Sequence, residues 1–380
     1  MTYSVNIYKS FDAEIEAIWL ELQEDAFGYI FQGYEWNALW FDCIGRDWAN
    51  ATPFIVVVSI EGHPAAIFPL ILYRKMGITC LEFIGGDQSD YLLPLIKRDA
   101  INIFPDIWAI VEDSLPYYDA AIFTKMPKLF GEISNPLLDV LPSFLSHEAF
   151  AAILPNSWAD MESRISAKIR ADSRRQIRRL SKHGEICFKV AKNQNDYLLM
   201  LEVMFEQKSR RYQESGVRDI LSSSGVKEFY RRAYKHFRGT YLPHLSVLTC
   251  NNQIIAAHWG IIQADRYYWL MPSYAGGEMA AFSPGRILQE KLIKWCIENH
   301  IAIFDFTVGA EQYKKAWSNT ILELHESTKS KSLLGVFFLM GRTILQAVKR
   351  NELAREVVMA MMRALHRVRM PDSIFRKNDN

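Results

Sequence analysis

The sequence predicts a mixed α/β protein of two domains followed by a helical carboxy-terminal arm. Three observations support this fold class. A chain of 380 residues is long enough for two domains of roughly 100 to 200 residues. Its 49% hydrophobic and 23% charged residues are typical of globular domains with apolar cores. Each half also contains a β-hairpin pattern among segments of helical periodicity.

The first domain, residues 1–150, is expected to combine helices with a hairpin. Apolar residues recur at helical spacing over 12–22, and an aromatic-rich helix or turn follows over 34–44. Further along, β-branched runs flank the turn pair Glu61-Gly62, which predicts a hairpin. Shorter strand and helix patterns complete a mixed unit.

The second domain, residues 151–325, follows a segment that we expect to be an irregular connection. This segment, 141–155, contains prolines and polar residues. A second hairpin is expected at Asn251-Asn252, because asparagine tolerates the left-handed backbone of a tight turn. The other elements predicted for this domain are helices over 158–183, 195–212, 226–237 and 285–299, and strands over 185–190 and 301–307.

The arm, residues 326–380, shows only helical periodicity from Ser330 onward. Between Lys331 and Lys377, ten Lys and Arg residues face three acidic ones. One interpretation is a pair of helices packed on the second domain with a solvated basic face. The other is a surface that binds a membrane or a protein partner.

Composition excludes several classes of protein. A net charge of +1 gives no overall field toward nucleic acid, so any such binding requires a local patch. The five cysteines form no C-x-x-C pair and are expected to be reduced thiols. The first residues lack a secretory pattern, and the apolar runs are shorter than the ~20 residues of a spanning helix. We therefore expect a cytoplasmic protein, with the arm as a peripheral contact to the inner membrane surface.

A cationic segment extends from Arg164 to Lys182, with eight Lys and Arg residues against Asp172. On one continuous helix Arg164, Lys168, Arg175, Arg179 and Lys182 share a narrow stripe, flanked by Arg170, Arg174 and Arg178. The face is expected to bind donor phosphates or RNA, or else to be solvated. The absence of interleaved aromatic residues argues against single-stranded nucleic acid.

A helix start is predicted at Ser283, followed by Pro284, Gly285 and Arg286. The free N–H groups and positive dipole end of such a helix favour a diphosphate. The Arg286 guanidinium would add a charged fork. Ordinary helix capping is the alternative interpretation.

The segment from Phe304 to Trp317 contains the candidate catalytic residues Asp305, Tyr313 and Lys314. A carboxylate beside a phenol and an ammonium could deprotonate an acceptor amine and reprotonate a thiolate leaving group. Asp305 could equally accept hydrogen bonds from loop N–H groups. His258 is the second choice of base, since imidazole titrates near neutrality.

A loop after Gly85-Gly86 contains Asp87, Asp90 and Tyr91, which are candidates for binding the substrate. Ligands often bind between domains, and this loop would line such a cleft. The alternative is an ordinary surface loop. No His or carboxylate set has metal-ligand spacing, so no metal site is expected.

In their order, these segments resemble the GNAT-type acyltransferases of the CelD-like group, relatives of the Fem-type aminoacyltransferases. The resemblance covers roughly residues 30–320. It rests on the segments KIRADSRRQIRRL, LSVLTCNNQIIAAHWG, FSPGRILQEKLIKW and DFTVGAEQYKKAW, with QGYEWNALW, HPAAIFPLIL and GGDQSDY before them. It implies two GNAT-like domains, each a mixed sheet flanked by helices, with the donor diphosphate near Ser283.

The activity implied by this resemblance is transfer of an acyl group, with acetyl as first choice, from acyl-CoA. The acceptor would be an amine or hydroxyl of a sugar or of a cell-envelope polysaccharide precursor, and no metal would take part. One alternative is a Fem-type transferase that uses aminoacyl-tRNA, in which case nucleic acid is a partner. Another is a non-catalytic accessory protein of envelope polysaccharide synthesis.

Overall fold

The structure is a computed structural model that describes residues 1–239, 241–309 and 311–350. Its strands are β1 (Tyr3–Tyr8), β2 (Ala26–Phe27), β3 (Thr52–Ile60), β4 (His63–Lys75), β5 (Ile78–Phe83), β6 (Leu95–Lys97), β7 (Ala120–Pro127), β8 (Leu129–Phe130), β9 (Ile133–Ser134), β10 (Phe144–Ile153), β11 (Ile186–Val190), β12 (Tyr241–Cys250), β13 (Gln253–Gln263), β14 (Arg266–Tyr274), β15 (Ile303–Val308) and β16 (Thr320–Ser330). Its α-helices are α1 (Ala13–Gln23), α2 (Tyr34–Cys43), α3 (Phe104–Ser114), α4 (Leu137–Val140), α5 (Trp158–Arg164), α6 (Ala167–Leu180), α7 (Gln194–Ser215), α8 (Ser224–His236), α9 (Pro284–Glu298), α10 (Gln312–Trp317) and α11 (Leu333–Arg350).

Within the described residues, fourteen strands form one continuous mixed sheet flanked by helices. Its order is β1-β3-β4-β5-β7-β16-β10-β15-β14-β13-β12-β11, with β2 and β6 attached beside β4. The pairs β5–β7 and β14–β15 are parallel, and their neighbours in the sheet are antiparallel. The predicted mixed α/β fold class is confirmed.

The two halves of the sheet repeat one order of elements. In the first half this order is β1-α1-α2-β3-β4-β5-α3-β7, and in the second it is β11-α7-α8-β12-β13-β14-α9-β15. Each half thus contains an antiparallel meander that ends in a parallel pair, and a helix crosses over between the parallel strands. The repetition is one of topology, since no repeat is visible at the level of residues.

The halves exchange their last strands. Strand β10 follows the first half in sequence but pairs with β15 of the second, and β16 follows the second half but pairs with β7 of the first. The expected irregular connection over 141–155 is therefore wrong, because β10 occupies most of it. The predicted domain boundaries after residues 150 and 325 fall inside β10 and β16, and the division into domains stays a prediction.

Local turn chemistry produced the hairpins as predicted. Glu61 and Gly62 adopt φ angles of 49° and 83° between β3 and β4, and Asn251 and Asn252 adopt 47° and 64° between β12 and β13. The single helix predicted over 158–183 is wrong. The chain breaks there into α5 and α6, and the side chain of Ser166 caps α6 by accepting from the Ile169 N–H at 3.3 Å.

An aromatic core joins the halves on one face of the sheet. Trp36 of α2 contacts Phe229 of α8 with ring centroids 5.1 Å apart and stacks on Phe237 at 5.8 Å. On the opposite face, α3 covers the first half, and α6 and α9 cover the second. Among the described residues, no helix is long and apolar enough to cross a membrane.

Candidate functional site

The candidate site lies where β14 and β15 diverge. Their parallel pairing comprises three residue pairs and ends at Tyr268 and Asp305. A register shift against β10 then leaves Phe306 as the extra residue of a bulge. Thr307 follows in the left-handed region, with φ of 57°. These irregularities turn the chain after Asp305 toward the junction of the two halves.

Asp305 is a buried anchor at this junction. Its carboxylate accepts hydrogen bonds of 2.8 Å from the Tyr91 hydroxyl, the Arg266 guanidinium and the Thr307 N–H. Its side chain is 1% exposed. Burial, followed by the neighbouring Asp305 charge, raises the pKa of Tyr91 well above its usual value, so the phenol remains a donor. The contacts give Asp305 the geometry of an acceptor for loop and side-chain donors.

Asp90, next to Tyr91, is the accessible carboxyl of the site. Its side chain is 21% exposed and lies 4.0 Å from the Lys125 ammonium. Burial by the surrounding protein raises the pKa of Asp90, while Lys125, a hydrogen bond with Thr307 and the Lys314 charge oppose the rise. A reachable carboxyl with a raised pKa is a typical general base.

Lys314 acts on this carboxyl, and Lys208 in turn lies within reach of the Lys314 charge. Lys314 is almost completely buried, donates to the Val308 carbonyl and pairs with Glu311 at 3.2 Å. Lys208 of α7 donates to the Pro272 carbonyl at 3.2 Å, and burial together with nearby cations lowers its pKa to about 8. Sequence reasoning missed Lys208, because nothing in the charged pattern of α7 distinguishes it from its solvated neighbours.

His258 occupies the core beneath α9. The ring is fully buried, its Nδ1 lies 2.9 Å from the Tyr267 hydroxyl, and it stacks on Trp269 at 3.7 Å. Burial lowers the pKa of His258 well below its usual value, so the imidazole is neutral. Among the described residues it lines neither of the two open clefts.

The first open cleft, here called the donor groove, has a volume of about 820 Å³ and lies between α6, α10 and the start of α9. Lys168, Arg175 and Arg286 contribute positive charge to it, and Asp172 is the acidic residue among its lining side chains. Asp172 accepts from Arg286 at 2.8 Å and also from Arg175. The cationic excess suits an anionic ligand. The other lining residues are Ser166, Ile169, Ala171, Gln312, Tyr313, Ala316 and Trp317.

The predicted helix start at Ser283 is present, with Pro284 as the first residue of α9. Ser283 adopts a left-handed φ of 53°, and its side chain makes no capping hydrogen bond. Gly285 lies in the first turn beside Tyr274. Ser283 and Arg286 border a small recess next to the donor groove.

The other predicted donor contacts divide between the groove and solvent. Tyr313 lines the donor groove, and burial raises its pKa to about 12, which keeps the phenol protonated. Arg174 pairs with Glu162 at 3.5 Å, and Arg178 is exposed on α6. Neither of these two arginines lines the groove. Arg164 belongs to α5, so the predicted single cationic stripe is divided at Ser166.

The second open cleft, here called the inter-half cleft, has a volume of about 650 Å³. Asp87, Lys125 and Arg218 line it, together with the ion pair between Glu326 and Arg342. Asp90 is not a lining residue of this cleft, but its carboxylate lies 4.0 Å from the Lys125 ammonium. The three candidates Asp87, Asp90 and Tyr91 thus lie on one loop, with Asp87 in the cleft and Tyr91 buried beneath it.

No metal centre is found in residues 1–239, 241–309 and 311–350, where no group of three or more His, Cys, Asp or Glu side chains is arranged to hold an ion. Most of the predicted basic arm lies outside the described residues. Its described part is the end of β16 and α11.

Comparison with known families indicates the class of enzyme. Residues 167–315, which include most of the donor groove, α9 and Asp305, match a family model described as an acetyltransferase (GNAT) domain. This chain is an acyltransferase. The predicted resemblance to GNAT-type acyltransferases is confirmed for this region. No curated protein matches the acyltransferase in sequence.

Solved structures share the fold of the acyltransferase over most of its length. FemX has a TM-score of 0.54 at 10% identity, over 86% of this chain and 97% of that one. The L-PGS from Bacillus licheniformis has a TM-score of 0.54 at 12% identity, over 89% and 98%. The C-terminal domain of a putative lysylphosphatidylglycerol synthetase from Agrobacterium fabrum has a TM-score of 0.51 at 11% identity, over 88% and 96%. At these identities the similarity concerns the fold alone.

Proposed function

We propose that this acyltransferase belongs to the CelD-like group and transfers an acyl group, with acetyl as first choice, from acyl-CoA to an amine or hydroxyl. The acceptor would be a sugar or an envelope-polysaccharide precursor. The observation that carries the proposal is Asp90, a partly exposed carboxyl with a raised pKa that lies 4.0 Å from Lys125 of the inter-half cleft. On one side Lys125 leads to the inter-half cleft. On the other side Lys314 adjoins Tyr313 of the donor groove.

The donor diphosphate would bind in the donor groove. Arg286, at the start of α9, and Lys168 and Arg175 of α6 supply the charges that a diphosphate requires. Arg174 and Arg178, which the sequence also suggested, lie outside the groove and are not needed for this contact. Acyl-CoA therefore fits the residues present at this end of the molecule.

The acceptor would enter through the inter-half cleft and lose a proton to Asp90. The freed lone pair attacks the thioester carbonyl, so that a new C–N or C–O bond forms as the C–S bond breaks. Tyr313 donates a proton toward the leaving thiolate. Lys314 binds an anionic part of the acceptor or stabilises the negative charge that develops in the transition state. The chain needs no covalent intermediate for this direct attack.

Asp305 has a different role in this proposal from the one that the sequence suggested. Three donors and deep burial make it a positioning residue that fixes Tyr91, and with it the adjacent Asp90. His258 likewise remains a neutral core residue. The base is therefore assigned to Asp90.

Calorimetric titration with acetyl-CoA tests the donor. We expect saturable heat and a rise in melting temperature, since a ligand that binds the folded state stabilises it. Absence of both at millimolar acetyl-CoA would contradict the proposal.

A Fem-type transferase that uses aminoacyl-tRNA is the second candidate, and the fold similarity to FemX and the cationic face of α6 favour it. It predicts binding of charged tRNA that weakens steeply with salt, because neutralised phosphates release counterions. Filter binding of charged tRNA at two salt concentrations separates the two donors. A non-catalytic accessory role is set aside, because the domain match indicates an enzyme.

A further inference from the structure

Helix α11 directs an apolar stripe toward solvent. Leu333, Phe337, Met340 and Ile344 recur every three or four residues and therefore share one face. Their exposed fractions run from 55% for Met340 to 79% for Leu333. Isolated exposed apolar residues are common on proteins, whereas a continuous stripe of large ones marks an interaction surface.

The contacts of the opposite face fix this orientation. Gly335 lies so close to β7 that an added Cβ would be 1.9 Å from the Asp119 carbonyl oxygen. About two turns further, Arg342 forms a two-pronged ion pair with the buried Glu326 of β16. Both contacts would be lost if α11 rotated to bury its apolar stripe. The stripe is therefore a stable feature of the folded chain.

The sequence of the end of β16 and of α11 is basic, although Lys329 pairs with Glu112 and Arg342 pairs with Glu326. No acidic residue occurs in the sequence between Glu326 and Glu352, whereas Lys and Arg occupy five positions. Lys331, exposed at the start of the helix, lies over the Tyr118 ring at 4.5 Å. The cationic positions of this interval are 329, 331, 342, 349 and 350. Apolar residues flanked by cations match a surface of acyl chains beneath anionic headgroups.

The packing of the helix favours lying on such a surface over crossing it. Arg342 interrupts the apolar sequence of α11, and its ion pair with Glu326 holds one face of the helix against β16. An apolar groove of about 490 Å³ runs along the helix beside β16 and widens the surface that lipid could cover. Its lining residues are Thr328, Ser330, Val336, Leu339, Met340, Thr343 and Ile344.

We propose that α11 is a membrane-binding helix that lies flat on a bilayer containing anionic lipids. The stripe from Leu333 to Ile344 enters the boundary between headgroups and acyl chains, and Lys331, exposed before the first turn of α11, contacts the headgroups. Arg342, on the inner side of the same helix, lines the inter-half cleft. The cleft thus adjoins the membrane-bound helix. This proposal does not depend on which acyl donor the enzyme uses.

Flotation of the full chain with lipid vesicles tests the proposal. We expect binding to phosphatidylcholine vesicles that contain about 30% phosphatidylglycerol, and much weaker binding to phosphatidylcholine alone. Binding should weaken at high salt, which screens the headgroup charges, without disappearing, because the apolar contribution persists.

The double variant Phe337→Glu/Ile344→Glu tests whether α11, and not another part of the chain, binds the vesicles. Both positions are solvent-exposed and glutamate is a good helix former, so the fold should be retained. We expect vesicle affinity to fall by roughly tenfold or more. The matched control, Leu199→Glu/Leu242→Glu, adds the same charge at exposed apolar residues of α7 and β12 and should bind like the wild type.

Three results would overturn the proposal. The wild-type chain could fail to bind anionic vesicles. The α11 variant could bind as well as the wild type, which would assign binding to another segment such as residues 351–380. Sedimentation could show a dimer that the α11 variant dissociates, without vesicle binding, which would assign the stripe to a second copy of the chain.

Discussion

The hydroxyl of Tyr91 donates a 2.8 Å hydrogen bond to the Asp305 carboxylate and so joins the two halves of the molecule at the candidate site. Tyr91 lies on the loop of the first half, and Asp305 is near the middle of β15. Because Asp90 precedes Tyr91 directly, this bond also determines where the accessible carboxyl lies. The candidate base, Asp90, is thus positioned by Asp305, a residue of the opposite half of the sheet.

Asp305→Asn should destabilise the protein. The substitution leaves the Arg266 guanidinium without its ionic partner, and loss of one member of a buried pair lowers the free energy of unfolding by on the order of 3 kcal/mol. Tyr91→Phe, which removes a single donor, should lower it by about 1 kcal/mol. Urea unfolding measures both. An asparagine variant with wild-type stability and strongly reduced turnover would instead make Asp305 the base.

Asp90→Asn should abolish most of the turnover while the protein remains folded. Loss of a general base lowers kcat by roughly 10²- to 10⁴-fold. In the wild type, the raised pKa of Asp90 should place the ascending limb of the pH profile above the ordinary range of an aspartate. Steady-state kinetics against pH measure both effects.

The matched control for this variant is Asp87→Asn on the same loop. Asp87 lines the inter-half cleft, so its loss should affect the KM of the acceptor more than kcat. If Asp90→Asn and Asp87→Asn have equal, small effects on kcat, neither is the base.

The sequence predicts those parts of the fold that depend on neighbouring residues. Both hairpins turn at pairs whose backbone is left-handed, and the side chains at Asn251 and Asn252 favour that conformation locally. Helix α9 begins at Pro284 for a similarly local reason. Such features are encoded within a few residues and can be read without knowledge of tertiary contacts.

The central strands β10 and β16 could not be predicted in this way. Glu326 is a buried charge in β16, and what neutralises it is Arg342 on the following helix. In the sequence alone, a charged residue at a buried strand position makes the segment look like a loop. The strand becomes recognisable only when the ionic partner, here Arg342, is known. The exchange of β10 and β16 between halves is likewise a non-local contact.

The candidate site shows the same limit. Strand alternation separates the side chain of Asp305 from its aromatic neighbours, but it does not reveal that Tyr91, 214 residues away, covers the carboxylate. The sequence singled out the loop of Asp90 and the strand of Asp305, and it preferred Asp305 as the base. Our proposal prefers Asp90 because Asp305 is the more buried carboxyl, and burial is set by the packing of both halves.

Arg286→Ala should weaken binding of the acyl-CoA donor and leave binding of the acceptor unaffected. A charge-assisted contact to a phosphate contributes about 1.5 to 3 kcal/mol, so the KM for acyl-CoA should rise roughly tenfold to a hundredfold. Arg178→Ala is the matched control, because Arg178 is exposed on α6 outside the donor groove. Equal donor KM values for both variants would move the diphosphate away from α9.

Acidification should destabilise the fold through two buried histidines. Burial lowers the pKa of His244 to about 3 and that of His258 well below its usual value, and both rings contact the Tyr267 hydroxyl. Both are therefore neutral when folded but take up protons near pH 6.5 when unfolded. Their contribution to stability is complete above pH 6.5 and is lost as the pH falls from there toward 3. Protonation of each of these two rings in the unfolded state should lower the free energy of unfolding by about 1.4 kcal/mol between pH 7.5 and 5.5.

Urea unfolding of the wild type at pH 7.5 and 5.5 measures this loss of stability. The variant His258→Gln shows how much of the loss is due to His258. The variant removes one titrating ring, so the difference between the two pH values should shrink by about 1.4 kcal/mol even where the variant is less stable overall. His63→Gln, at an exposed position of β4, should leave the difference unchanged. Glu82 and Asp90 act in the opposite sense, since burial raises their pKa values and protonation then favours the folded state. An unchanged pH difference in His258→Gln would show that this imidazole takes up its proton over the same pH range in the folded as in the unfolded protein, and that its core environment admits charge.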